Sequence, residues 1–275
     1  MDHISKALER ATSERLSVRG WVQPLAPDMG RPTPVELPER RVAVSRAHLK
    51  AHHILSGRSE EDPVVSDRYR LLRTRIGQVM RQEGWSSLGI TSPGSQAGKT
   101  LTSLNLAISA ARDSSFTVVL IDADLRKPSI ATDLGIDVER GLIDYLKGEC
   151  SIDDMLVRPD FENLIIVPGR RSDSDVVPEL LTSPRMKQLV DSVRGRDSSR
   201  VVVVDLPPAL VGDDVVALAP LLDALLLVVS EGQTLIDELR QASELLKNFQ
   251  LIGTVLNKSS NGTRHIDGYY HAVSA

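Results

Sequence analysis

The chain has 275 residues, 41% hydrophobic and 25% charged, which suits one full α/β domain with appendages and supplies enough apolar side chains for a substantial core. A formal net charge of −4 argues against nucleic acid as the main partner; Cys150, the sole cysteine, rules out a disulfide framework or paired-thiolate metal site and fits a reducing compartment. No run nears the roughly 20 apolar residues that span a bilayer, and Met1-Asp2-His3-Ile4 lacks a signal peptide's apolar core, so the expected location is cytoplasmic, with any membrane reached through a surface contact or another protein.

Residues 2–12 read as a short helix with Ile4, Ala7, Leu8 and Ala11 on one side and Lys6 and Arg10 off it. Pro24, Pro27, Pro32, Pro34 and Pro38 then crowd a stretch without periodicity, a linker. Residues 43–60 follow no clear period, and His52-His53 has no spaced partner and reads as surface. Residues 1–60 are thus expected to be an N-terminal helix and Pro-rich linker. Tyr69, Leu72, Ile76, Val79 and Met80 recur at helical spacing, so residues 64–83 form an amphipathic helix.

Strands follow near 87–92, 117–122, 163–167, 200–205, 223–230 and 251–257, with helices near 99–112, 139–147, 176–194, 213–220 and 235–248. Short apolar strands alternating with helices predict a mostly parallel sheet covered on both faces, an α/β domain of the P-loop NTPase kind over residues 61–258. From Ser259 to Ala275 the chain is polar, carries Gly262 and Gly268, and reads as a flexible tail.

Leu88-Gly89-Ile90-Thr91 leads into Ser92-Pro93-Gly94-Ser95-Gln96-Ala97-Gly98-Lys99-Thr100, and the next helix carries Leu101, Leu104, Ile108 and Ala111 along one stripe. Strand, small-residue loop and helix are the context a P-loop requires. The backbone N–H groups of Gly94, Ser95, Gln96, Ala97 and Gly98, with the helix N-terminus, form a cradle for the phosphates of ATP. Lys99 reaches the β and γ phosphates, and the Thr100 hydroxyl is placed to ligate Mg²⁺. Pro93 stands where the motif has its first glycine.

Val118-Val119-Leu120-Ile121-Asp122-Ala123-Asp124 is an apolar strand ending in carboxylates two residues apart, which extended chain turns to one side. Val201–Val204 ends in Asp205, followed by Leu206-Pro207-Pro208. In an open α/β sheet, ligands sit at the carboxyl ends of the strands, so the P-loop and Asp122, Asp124 and Asp205 converge there. Three carboxylates beside a triphosphate can hold Mg²⁺ and can orient or deprotonate a nucleophile.

With these motifs the sequence resembles the bacterial tyrosine kinases of exopolysaccharide and capsule synthesis, most of all the cytoplasmic, exosortase-associated autokinases, over residues 64–258. Ser92–Thr100 is similar to their Walker A segment, Ile121-Asp122-Ala123-Asp124-Leu125-Arg126-Lys127-Pro128 to Walker A′, and Val201–Asp205 with Pro207-Pro208 to Walker B. Pro178-Glu179-Leu180-Leu181 and Gly253-Thr254-Val255-Leu256-Asn257-Lys258 match further strings. The resemblance implies that Asp122 is the base toward a tyrosine hydroxyl, that Asp124 and Asp205 serve Mg²⁺ with Thr100, and that Asn257 lies near the adenine.

Asp67-Arg68-Tyr69-Arg70-Leu71-Leu72-Arg73 resembles the family's Glu-x-x-Arg-x-x-Arg oligomerisation segment with Asp in place of Glu. Steps of three residues shift about 60° around a helix, so Asp67, Arg70 and Arg73 fan across the side away from the core, toward a neighbouring subunit or into local ion pairs. Two of the four tyrosines, Tyr269 and Tyr270, are adjacent in the tail and read as phosphoacceptors. From Asn257 to Tyr270 the chain extends up to roughly 40–45 Å, enough to reach a neighbour's site.

The implied activity is Mg·ATP-dependent autophosphorylation between subunits of a homo-oligomer, under a membrane-embedded activator of the polysaccharide co-polymerase kind. One competing reading is a partition- or septum-positioning ATPase, whose signature lysine would occupy the place of Gly94. Another is a catalytically silent nucleotide-binding regulator, which would have lost a Lys or Asp that is present here. A metal-cluster carrier would need paired cysteines.

Overall fold

Thr117-Val118-Val119-Leu120-Ile121 is apolar at every position after the first, so the strand it forms must be covered on both faces. The computed structural model, which describes residues 38, 41–56, 62–172, 176–194 and 200–259, meets that demand. Six parallel strands form one sheet: β2 (Ser87–Thr91), β3 (Thr117–Asp122), β5 (Leu164–Val167), β6 (Arg200–Asp205), β7 (Ala224–Ser230) and β8 (Leu251–Asn257), in the order β5-β3-β6-β2-β7-β8. β1 (Arg41–Val42) and β4 (Arg158–Pro159) make a separate two-stranded parallel pair.

Alternate strand residues serve two cores. Val118, Leu120, Leu88, Ile90, Val203 and Leu226 pack under α1 (Arg46–Ala51), α2 (Pro63–Glu83) and α3 (Lys99–Ala111). Val119, Ile121, Val202, Val204, Leu225 and Leu227 pack under α5 (Leu142–Lys147), α7 (Val177–Leu181), α8 (Pro184–Arg194), α9 (Asp214–Leu218) and α10 (Ile236–Leu246). The single-turn helices α4 (Ile130–Asp133) and α6 (Ile152–Met155) lie in connections. The expected helix over 2–12, the proline-rich run before Pro38 and the Tyr269-Tyr270 pair fall outside the described residues.

α2 starts where its sequence says it must. The Asp62 carboxylate accepts from the Val64 N–H, Pro63 fills the first turn, and Gly84 ends the helix at φ 69°. The helix expected across 176–194 is two helices. Pro184 lacks an N–H and disfavours helical backbone at Ser183, so α7 stops at Leu181 and α8 starts at Pro184. α5 begins at Leu142 rather than near 139, because extended Gly141 donates its N–H to Asp144 as a cap.

Residues 43–60 gave no period, yet 41–56 pack into the domain upstream of residue 61. Val44, Leu49, Ile54 and Leu55 are buried, and Asn105 of α3 binds this segment with both ends of its amide. Its Oδ1 accepts from the Leu55 N–H at 2.8 Å and its Nδ2 donates to the His53 carbonyl at 3.1 Å. His52 stacks on His48 and lies 3.7 Å from Asp133. Asn105→Ala orphans the buried Leu55 amide and is expected to cost about 2–3 kcal/mol. Denaturant unfolding checks the cost, and hydrogen exchange should show Leu55 losing protection before the sheet does.

Candidate functional site

The phosphate-type loop is set by the strand that feeds it. β2 is buried along its length, and beyond Thr91 the chain stays pinned to the segment after β6. The Ser92 carbonyl accepts from the Ala209 N–H at 2.7 Å, the Pro93 carbonyl from the Leu210 N–H at 3.2 Å, and the Thr91 hydroxyl donates to the Pro207 carbonyl at 2.7 Å. Left-handed backbone falls on Gln96 (φ 65°) and Gly98 (φ 87°), not on Pro93. Position 93 therefore needs no glycine, and it contributes a carbonyl rather than an N–H. Gly98 does need to be glycine: a β-carbon there would lie 2.1 Å from the Asn257 Nδ2. Asn257 itself donates to the Ala97 carbonyl at 2.9 Å.

Register brings the carboxylates together. Asp122 of β3 is the cross-strand partner of Asp205 of β6, which in turn pairs with Ile90 just before the P-loop. Asp205 is buried beside the first turn of α3. It accepts from the Thr100 hydroxyl at 2.7 Å, from the Ser103 hydroxyl at 2.9 Å and from Lys99 Nζ at 3.3 Å. Ser103, one helical turn after Lys99, is a contact that the sequence reading missed; its i+4 spacing is the signal that could have found it. Asp124, just past the strand, binds Lys99 at 2.8 Å and accepts from the Lys127 N–H at 3.1 Å.

Asp122 differs from both. Its Oδ2 accepts from the backbone N–H groups of Ser129 (3.0 Å) and Ile130 (3.1 Å), while its buried Oδ1 has no hydrogen-bond partner. Gly169 lets the loop after β5 pass alongside: a β-carbon there would sit 3.0 Å from the Asp122 Cγ. Burial, then the charge of Asp205, push the Asp122 carboxyl well above the usual range, against the pull of the Ile130 amide and Lys99. Burial also raises Asp205, with Lys99, Thr100 and Ser103 opposing. Burial alone would lower the Lys99 ammonium; Asp205 and Asp124 outweigh it and hold the group above its ordinary value.

One cation and three carboxylates thus share the C-terminal end of the sheet with a glycine-tight loop and a helix N-terminus. Among the described residues no three Asp, Glu, His or Cys side chains form a ready-made metal cage. The donors at hand are hard oxygens: the Thr100 hydroxyl and the Asp124 and Asp205 carboxylates. That set suits Mg²⁺, which binds through few protein ligands and completes its shell with water and phosphate. The loop fits a polyphosphate, and the orphaned Asp122 oxygen marks a position where a further proton or donor can be held.

The Asp67–Arg70–Arg73 fan is only partly external. Asp67 and Arg70 pair locally at 2.9 Å, whereas Arg73 donates to the Ser109 carbonyl of α3 at 2.8 Å. Two 60° steps carry the third member around to the α3 seam, where a carbonyl in that helix's last turn needs a partner. Arg126 reaches Asp214 at the start of α9 at 2.9 Å, joining the loops after β3 and β6. A cavity of about 690 Å³, bordered by Arg73, Arg81, Trp85 and Phe116, opens elsewhere and shares no residue with the P-loop. No helix of the described residues is long and apolar enough to cross a membrane.

The fold and loop together define a P-loop nucleotide-binding domain of the parallel-sheet type. Residues 88–273 match the CobQ/CobB/MinD/ParA nucleotide-binding domain family. The chain is 31% identical to EpsB of Ralstonia nicotianae over 217 residues, 76% of this chain and 28% of that one. It is 30% identical to the tyrosine-protein kinase YwqD of Bacillus subtilis over 215 residues, 77% of this chain and 89% of that one. The kinase domain of the Escherichia coli tyrosine kinase ETK superposes with a TM-score of 0.65 at 26% identity, covering 74% of this chain and 84% of that one. The chain belongs to the bacterial tyrosine-kinase branch of the CobQ/CobB/MinD/ParA family. It spans little more than a quarter of EpsB and most of YwqD.

The electrostatics carry a stability signature. Asp122 holds its proton more tightly folded than unfolded, so the stability it contributes is present in acid and lost as pH rises through its raised pKa. Asp122→Asn, which never ionises, should match the wild type in acid and exceed it at pH 8. Lys99→Met strands buried carboxylates and should cost about 3–5 kcal/mol at pH 8, and less in acid, where protonation relieves the stranded charge. Urea unfolding in acid and at pH 8 reads both trends.

Proposed function

We propose that the chain is an ATP-dependent protein-tyrosine kinase of the exopolysaccharide- and capsule-export type, which phosphorylates Tyr269 and Tyr270 of its own tail between subunits. The observation that carries this reading is Asp122: a buried carboxylate fixed by two amides on one oxygen, with the other oxygen unpartnered, beside a Lys99-paired acidic couple. A carboxyl of raised proton affinity at this place can take the proton of a hydroxyl nucleophile. Kinship with YwqD and ETK supports the same class.

In this reading Lys99 holds the β and γ phosphates, and the N–H groups of Gly94 to Thr100 complete the cradle. Thr100, Asp124 and Asp205 hold Mg²⁺, which supplies charge neutralisation on the phosphates. Lys99 is paired with the same two carboxylates, Asp124 and Asp205, that would hold the cation. Asp122 accepts the phenolic proton as the tyrosine oxygen bonds to the γ phosphorus; the bond to the bridging oxygen breaks and ADP leaves. Asn257 lies on the adenine side.

Asp67 and Arg70 remain outward for contact with a neighbouring subunit, and Arg73 acts by fixing α2 on α3. The kinase works on the cytoplasmic side of the plasma membrane, under a membrane-embedded activator of the polysaccharide co-polymerase kind. Each phosphotyrosine adds roughly −1.5 to −2 charges, which loosens a ring held by tail docking.

The test is incubation with Mg·ATP and an activator fragment, followed by mass spectrometry. Phosphate on Tyr269 and Tyr270 is expected, and a Lys99→Met chain should be phosphorylated by an active chain that lacks both tyrosines. Asp122→Asn should lower the rate about 100-fold or more. The wild-type rate should climb with pH through the raised Asp122 pKa and then level, because only the ionised carboxylate accepts a proton. ATP hydrolysis without any phosphotyrosine would overturn the kinase reading in favour of a positioning ATPase.

A further inference from the structure

Two consecutive residues at the end of β8 hold two consecutive carbonyls of the P-loop. Asn257 Nδ2 donates to the Ala97 carbonyl at 2.9 Å, and Lys258 Nζ donates to the Gln96 carbonyl at 2.7 Å. The same Nζ donates to the Gln233 Oε1 at 2.8 Å, on the turn that follows β7, where Gln233 also accepts from the Ser230 hydroxyl at 3.2 Å. The partners are far apart in sequence, 162 residues for Lys258 and Gln96. Both residues also sit in left-handed backbone, Gln96 at φ 65° and Lys258 at φ 57°. For side chains of this kind that conformation is unfavourable and persists only where neighbours enforce it.

In a trans peptide the C=O and N–H of one plane point in opposite directions. Drawing the Gln96 and Ala97 carbonyls toward β8 therefore turns the N–H groups of Ala97 and Gly98 the other way. Left-handed residues in such a loop fold successive N–H groups into an anion-binding concavity. We propose that Lys258 is a positioning residue for the phosphate cradle: it clamps the Gln96–Ala97 peptide plane so that the Ala97 N–H faces the β-phosphate, and it ties that plane to the β7 turn through Gln233. This rests on the ATP reading above and assigns to Lys258 a part that neither the P-loop motif nor the acidic strand ends contain. The clamp acts through the backbone of the loop, so its effect belongs to the phosphates and not to the adenosine moiety.

The test is calorimetric titration of the full chain with Mg·ADP and with AMP, for wild type, Lys258→Met and Lys258→Arg. Loss of a hydrogen bond from a charged donor corresponds to about a tenfold change. Lys258→Met should weaken ADP about tenfold and AMP less than twofold, the ADP loss persisting in 0.5 M salt, and Lys258→Arg should recover most of it. A ratio of ADP to AMP affinity unchanged in Lys258→Met overturns the proposal while leaving the nucleotide reading intact. So does an equal loss for both ligands that tracks a lowered melting point of the ligand-free chain, the mark of a merely structural tie. A wild-type chain that binds neither ligand overturns the nucleotide reading and this proposal with it.

Discussion

The Lys99 ammonium set between Asp124 and Asp205 is the contact on which the rest of the site depends. Taking an ammonium and two carboxylates out of water costs several kcal/mol per ion, and close pairing with further hydrogen bonds is what offsets it. Both conditions hold: the ion pairs are 2.8 and 3.3 Å long, and Asp205 also receives the Thr100 and Ser103 hydroxyls. The pair fixes the first turn of α3 against the ends of β3 and β6, so the helix N-terminus opens at the level of the carboxylates. Remove the cation and three acidic groups are left facing one another at strand ends that register forbids from separating.

From that contact the three carboxylates acquire different characters. Asp205 is saturated by three donors, and Asp124 has the ammonium and a backbone N–H. Asp122 is in the same register row but receives only two amides, both on one oxygen. Its proton affinity is raised because burial and Asp205 together outweigh the Ile130 amide and Lys99. Buried polar atoms are normally paired, so an orphaned carboxylate oxygen at a strand end is a cost that folding alone gives no reason to keep. Unequal hydrogen-bond supply thus separates three residues of one type, the difference on which the proposed division between metal-serving and proton-accepting carboxylates rests.

Most of this architecture was legible in the sequence because the central strands are buried on both faces. A run such as Ala224-Leu225-Leu226-Leu227-Val228-Val229 admits few other structures, and its neighbours alternate with helices of ordinary length. The P-loop and the acidic strand ends were legible for the same reason: each is a short polar string at the end of an apolar one. What escaped is what depends on long-range polar contacts. Asn105 looks like any helical polar residue until Leu55 and His53 dock on it, and Arg73 could be placed outward only while the position of α3 was unknown. The helix expected across 176–194 breaks at Pro184, a residue whose effect on the backbone before it ends α7. Ser129 and Ile130 reach Asp122 with backbone amides, which leave no trace in side-chain identity.

The P-loop itself illustrates why a motif can tolerate departures. A loop that turns its amides inward must have its carbonyls held outward, and here they are held from two sides. Ala209 and Leu210 hold the carbonyls of Ser92 and Pro93 at the entry, and Lys258 and Asn257 hold those of Gln96 and Ala97 before the helix. The entry is clamped from outside by the segment after β6, and the backbone at position 93 is not left-handed, so proline is accommodated where the motif has glycine. Gly98 has no such freedom, since Asn257 occupies the space that any side chain would need. The loop's shape is thus a property of its neighbours as much as of its own sequence, and the segments after β6 and β8 are as much a part of the phosphate site as the residues that would touch the phosphate.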